Sequence, residues 1–186
     1  MIWRIEVATR TEYNDAAGRA AREDLADAGL LALSEGRYVR VFTIEGGLSA
    51  EDAERIAREL LADPITDRFA INAAVDTGLK GNLFSVEVAK KPGVMDPVEA
   101  STLKGLADMG LRAEAVSTAR KYVFTGACRE DDFRAAAAEV LANEVIEECH
   151  FGEVKPSPRA KVAPYAFKRV EVDLLHAADA KLTELS

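Results

Sequence analysis

The stretch VLANEVIEECHF, Val140 to Phe151, is nearly a second writing of LLADPITDRFAI, Leu60 to Ile71. An internal repeat of this kind decides how the whole chain is read. Working upstream, Ala53, Ile56, Ala57, Leu60 and Leu61 answer to Phe133, Ala136, Ala137, Val140 and Leu141 at a constant offset of 80. Both sets follow i, i+3, i+4, i+7, i+8, the apolar stripe of an amphipathic helix. Ser49 followed by Asp52 is a helix-start capping pair.

The beginnings repeat at an offset of 81: Trp3, Ile5 and Val7 answer to Phe84, Val86 and Val88, with Arg4 and Glu6 answering to Ser85 and Glu87. Strict alternation marks a strand with one buried face. A helix start follows each strand, at Asn14-Asp15 and at Asp96-Pro97, where proline suits the first helical position. Each of these helices runs out at a glycine followed by leucine, Gly29 and Gly110. Between the helices lie the strand-like runs GRYVRVFTIEG and ARKYVFTGA. The first is apolar on both sides, which predicts cover on both faces.

Each copy therefore reads β-α-β(β)-α-β, giving an α+β chain. Residues 1–73 form the first repeat and 84–154 the second, joined by AAVDTGLKGN. Units of ~70 residues bury too little surface to be secure alone. The second sheet face of each copy is thus expected to pack on the other, a dimer made from one chain. A proline-containing linker at 155–172 and a helix at 173–186 are expected to follow.

Composition sets outer bounds. No apolar run approaches the ~18–20 residues that span a bilayer, and Arg4 and Glu6 interrupt any signal-like start, so a cytoplasmic protein is expected. A net charge of −8 works against binding to nucleic acid. The basic stretch GEVKPSPRAKVAPYAFKRV, with three prolines, reads as an extended linker rather than a nucleic-acid arm. Cys128 and Cys149 form no disulfide or zinc pattern and read as packing residues. His150 and His176 stand apart from any nucleophile or carboxylate relay. Gly46-Gly47 lacks the spacing of a phosphate loop, and Glu147 and Glu148 diverge on a strand as a solvated or partner-facing edge. No catalytic, cofactor or metal site is visible.

The recurring basic-aromatic positions, Arg37-Tyr38 and Arg120-Lys121-Tyr122, are the candidates for partner contact. The competing reading is edge-strand charge that discourages aggregation.

The second copy resembles the PurS family, the small subunit of phosphoribosylformylglycinamidine synthase. The motif residues are Gly93, Val94, Asp96, Pro97, Leu106, Gly110, Arg120, Lys121, Leu141, Ala142, Asn143, Val145, Ile146 and Glu147. The family glycine after Asp-Pro is replaced by Glu99. The first copy is more diverged, keeping Gly18, Gly36-Arg37-Tyr38 and the ending Leu60 to Ile65. The tail VDLLHAADAKLTELS looks like the start of the helical linker in the large subunit, PurL. The resemblance implies two tandem PurS-like units and a chain that is the N-terminal part of a longer synthase. It implies a non-catalytic assembly module of purine biosynthesis, with PurL synthetase domains and a PurQ-type glutaminase as partners. ATP, magnesium and glutamine would be bound by those other parts. Rival readings are a tandem ACT-like regulatory module, with ligands in the loops TRTEYN and KKPGVM, and a stand-alone scaffold.

Overall fold

The computed structural model describes residues 1–155, 167–169, 171, 178 and 181–183. Most of the expected linker and C-terminal helix lies outside the described residues, of which 181–183 are helical. The element order is β1 (Ile2–Thr9), α1 (Ala16–Asp27), β2 (Leu33–Glu45), α2 (Ala50–Ile56), β3 (Asp67–Ile71), β4 (Leu83–Lys90), α3 (Pro97–Asp108), β5 (Ala115–Gly126), α4 (Glu130–Leu141) and β6 (Glu147–Phe151). A π-helical turn, Ala57–Leu61, prolongs α2.

Local chemistry explains the boundaries. Asp15 caps α1 through the Gly18 amide, and Asp96 caps α3 through that of Val98. Ser49 and Asp52 form a reciprocal capping box at α2. Gly29 and Gly110 take left-handed φ of 101° and 77°, which lets each chain leave its helix sharply. The following Leu30 and Leu111 amides bond back to the Leu25 and Leu106 carbonyls.

All six strands form one antiparallel sheet in the order β3-β1-β2-β5-β4-β6. The expectation that each copy's second sheet face packs on the other is not met. The halves join edge to edge, along the long strands β2 and β5. Nor is β5 an edge strand, so Arg120 and Lys121 do not serve to discourage edge-to-edge aggregation. The reason is that period-2 patterning specifies which face is buried but not which strand lies alongside.

The register at the join is informative. Arg40 pairs with Arg120, and the pairing runs symmetrically out to Glu35 with Thr125 and Glu45 with Ala115. Since β2 and β5 are related by the offset of 80, each residue crosses to the counterpart of another, and Arg40 meets its own. A local two-fold therefore passes between these arginines. Gly46 and Gly126, also 80 apart, share φ values of 156° and 157°.

The helices lie on one face, over two apolar clusters that each draw on both halves. Leu25 of α1 packs with Phe133 of α4 over Phe84, Val86 and Phe124. Ile56 and Leu61 pack with Leu106 of α3 over Ile5, Phe42, Ile44 and Val116. On the opposite face a third cluster, Ala8, Val39, Val41 and Val123, is covered by Val75 and Leu79 from the segment between the halves. That segment, expected only to join the copies, supplies the second cover that the two-sided pattern of β2 demanded.

Candidate functional site

The charged residues at the centre of the sheet form two constellations, one on each face. On the helix-bearing face, Arg40 and Arg120 lie side by side in register. Arg40 pairs with Asp67, and Arg120 Nη2 donates to Glu147 Oε2 at 2.8 Å. Lys90 Nζ adds a bond of 2.6 Å to Glu147 Oε1. The acid closes a turn in each case: Asp67 accepts the Asp63 amide at 3.1 Å, and Glu147 that of Asn143 at 3.0 Å. Asp63 also caps the Ile65 and Thr66 amides, as Asn143 caps that of Val145. This is the physical content of the repeated stretch: an Asx residue that shapes the turn, and an acid four residues on that locks it to the central arginine.

Burial pushes the Glu147 carboxyl up, but the Lys90 ammonium, the Asn143 amide and Arg120 outweigh it and hold the group below the usual carboxylate range. Glu147 is thus buried and ion-paired, not the solvated edge residue expected; Glu148 beside it is exposed, near His150. A cavity of about 350 Å3 opens here, lined by Tyr38, Arg40, Lys90, Asp96, Arg120 and Glu147 among others.

On the other face, Arg4 spans the join. Its Nη2 donates to Glu6 Oε1 at 2.8 Å and to Glu87 Oε2 at 2.5 Å, and Nη1 reaches Glu87 Oε1 at 3.1 Å. Lys121 crosses the other way to both Glu6 oxygens, at 3.0 and 3.2 Å. The Val75 amide donates to Glu6 Oε2 at 3.0 Å. Arg4, Glu6 and Glu87 are 6, 2 and 6% exposed, so these charges are tolerable only because they are paired and neutral overall. Burial alone would raise the Glu6 carboxyl, but Lys121, Arg4 and the Val75 amide pull it below its ordinary value. The Arg4 guanidinium opposes its own burial through Glu87 and Glu6, and is held further into its charged form.

The five sequence candidates fall around this join. Tyr38 and Tyr122 pair across it with ring centroids 5.4 Å apart, and burial raises both hydroxyl pKa values. Arg120 binds Glu147, Lys121 binds Glu6, and Arg37 sits in a notch at the start of β2. By register, the counterpart of Arg120 is Arg40 rather than Arg37, and that of Tyr122 is Phe42. Sequence reasoning missed Arg40, Asp67, Glu6 and Glu87. The offset of 80 set by the helices would have found Arg40 and Asp67, and that of 81 already aligned Glu6 with Glu87. Cys128 and Cys149 are free and pack against the first apolar cluster. No metal-ligating group of three or more His, Cys, Asp or Glu occurs among the described residues.

Glu6, Glu87, Asp67 and Glu147 are each bonded to a cation. These pairings tie the strands of the two halves together.

Residues 83–155 match the PurS family model, phosphoribosylformylglycinamidine (FGAM) synthase. That match covers the second half, β4 to β6, and supports a PurS-like fold for this unit. No curated protein matches the chain. Among the described residues no helix is long and apolar enough to cross a membrane.

Proposed function

We propose that this chain is a non-catalytic assembly module of FGAM synthase, built from two tandem PurS-like units paired as an intramolecular dimer. The observation that carries the reading is the PurS match over 83–155 taken with the two-fold register at Arg40 and Arg120. A unit paired with a diverged copy of itself behaves as a covalent dimer. The residues at the join hold it together, and the outer surfaces of the halves are left free to differ.

In this reading the module works in the cytoplasm, organising PurL-type synthetase domains and a PurQ-type glutaminase. It belongs to a longer synthase polypeptide. ATP, magnesium and glutamine are bound by those other parts. Tyr38 and Arg120 contact a neighbour in this reading, as does Arg37, supported by their position beside the central cavity and at the notch. Lys121 and Tyr122 act within the join.

The test is reconstitution. The chain, a synthetase lacking its own PurS-like region and a glutaminase are mixed. Complex formation is read by light scattering on a sizing column, and amidine formation from glutamine is assayed with and without the chain. A ternary complex with chain-dependent, glutamine-driven activity is expected. Components that elute separately, with activity indifferent to the chain, would sink the reading.

A further inference from the structure

Beyond that reading, we propose that the first half carries an oxyanion site for a phosphate group, formed by Arg19, Arg22 and Arg37 where β2 runs on past the end of β1. β1 pairs with β2 only as far as Ala8 with Val39, so residues 33–37 extend beyond it. Beside this projecting stretch lies a cavity of about 220 Å3, lined by the three arginines together with Tyr13, Asp15, Ser34 and Glu35 among others. Drug-sized ligands occupy pockets of ~300–1,000 Å3, so this one suits a charged head group rather than a whole nucleotide.

The state of the arginines points to a ligand. Arg4, Arg10, Arg40, Arg68 and Arg120 each donate side-chain hydrogen bonds to a carboxylate or carbonyl. The guanidiniums around the notch donate none among the described residues. Arg22 stands 3.6 Å from Glu23 and Arg37 stands 3.7 Å from Glu35, both beyond hydrogen-bond reach. Arg37 has a side chain only 11% exposed, and its Nε is fully buried with no hydrogen-bond partner. Such a buried donor is costly, more so when charged, so the Arg37 guanidinium is held in the notch with hydrogen-bonding capacity unspent.

Asp15 does not supply one. Its Oδ1 accepts from the Gly18 amide at 2.8 Å and its Oδ2 from the Tyr38 amide at 2.7 Å. The cavity lining then carries three cations against Asp15 and Glu35, a local positive excess on a chain of net charge −8. Planar guanidiniums match a phosphate with paired N–H donors, and the Ser34 and Tyr13 hydroxyls add further donors.

The site belongs to one half alone. At the repeat offsets, Arg19, Arg22 and Arg37 correspond to Ala100, Leu103 and Ser117. The halves thus diverge at three positions that line one cavity.

The experiment follows the arginine Nε–H resonances of the 15N-labelled full chain during titration with inorganic phosphate, at fixed ionic strength and near neutral pH. A saturating shift at Arg37 and Arg22 is expected, with Arg120 unmoved. Both Arg37→Gln and Arg19→Gln should weaken binding tenfold or more, while Arg55→Gln on α2 leaves it unchanged. Arg19 is exposed, so its variant keeps the fold and decides the matter should Arg37→Gln unfold. A drift shared equally by all arginines, or saturation unaltered in Arg19→Gln, overturns the proposal. A parallel titration with acetate separates the sources. Binding of acetate as tight as phosphate overturns the phosphate assignment and makes the natural occupant a partner's carboxylate. Phosphate binding by the isolated chain needs no synthase subunit, so its failure and failure of the assembly reading are separate results.

Discussion

In the first half α1 crosses β2 so closely that a Cβ on Gly18 would lie 2.5 Å from the Gly36 carbonyl oxygen, and one on Gly36 the same distance from that of Gly18. The corresponding positions in the second half hold Glu99 and Val116, and Val116 is fully buried in the same cluster as Leu106 of α3. The halves also differ on the other face. The segment bearing Val75 and Leu79 packs with Ala8, Val39 and Val41 of the first half and reaches only Val123 and Ala119 of the second. The second half has a groove of about 350 Å3 instead, lined by Glu87, Ala89, Ser117 and His150 among others, with Arg4 and Thr43 from the first. What the halves share are the aspartate caps of α1 and α3, the turn acids and the central arginines; of the crossed charges only Glu6 and Glu87 correspond, since Arg4 and Lys121 answer to Ser85 and Val41. The lesson is that symmetry persists at the central arginines and their turn acids, and lapses in the cations crossing the join and in what covers each face.

The comparison is broken most severely at the crossed charges. Glu6→Ala leaves Lys121 and part of Arg4 buried without a counter-charge. It should cost about 3–5 kcal/mol, read as the shift in urea midpoint at unchanged slope. Gly36→Ala should come next, at about 1–3 kcal/mol, because its methyl meets the Gly18 oxygen at 2.5 Å and Phe124 carbons at 2.9 Å. By contrast Gly47→Ala, with nothing within 4 Å of the new methyl, should stay within about 0.5 kcal/mol. Equal losses at the two glycines would show that the close crossing of α1 is not what distinguishes the first half. Between these, Val75→Ala removes two buried methyl groups and should cost about 1.5 kcal/mol. A cost near zero would mean that the covering segment is not held on the sheet.

A further effect is confined to acid. Glu6 and Glu147 have carboxyl pKa values lowered in the folded state from about 4.5, so their pairing stabilises fully above that value. The contribution is lost as the pH falls below it, through the folded values. Urea unfolding between neutral pH and acid should show stability falling in that window. Glu6→Gln should flatten the fall by removing one of the two groups. An identical pH slope in the variant would assign the acid sensitivity elsewhere.

Much of the framework was readable because it rests on local chemistry. Alternation at Trp3, Ile5 and Val7 and at their partners 81 residues on gave β1 and β4 with their helix-side face, but the expectation of a single buried face fails, since Arg4, Glu6 and Glu87 are buried on the other. The stripe from Ala53 to Leu61 gave a helix, though its last turn is π-helical, with the Ala62 amide reaching the Ala57 carbonyl. Ser49-Asp52, Asp96-Pro97, Gly29 and Gly110 placed the helix ends. The sideways join was not readable, since alternation in β2 is the same whether cover comes from another sheet or from a crossing segment. The candidate residues suffered from the same gap. Aligning Arg37-Tyr38 with Arg120-Lys121-Tyr122 by similarity ignored the offset that the helices had fixed, and so hid Arg40. The acids at the join looked like surface charge because their partners lie on strands distant in sequence.

That distance has a kinetic side. The strand pairing at the centre joins residues as remote as Leu33 and Gly126, and neither helix-side cluster is complete without both halves. Closing such contacts is slow when the ends must find each other through a long chain. A short tether between β3 and β4 converts what would be a bimolecular encounter into an intramolecular one, at an effective concentration that reaches millimolar for short flexible links. With β2 and β5 in one chain, their pairing does not depend on protein concentration and survives dilutions at which separate chains would drift apart.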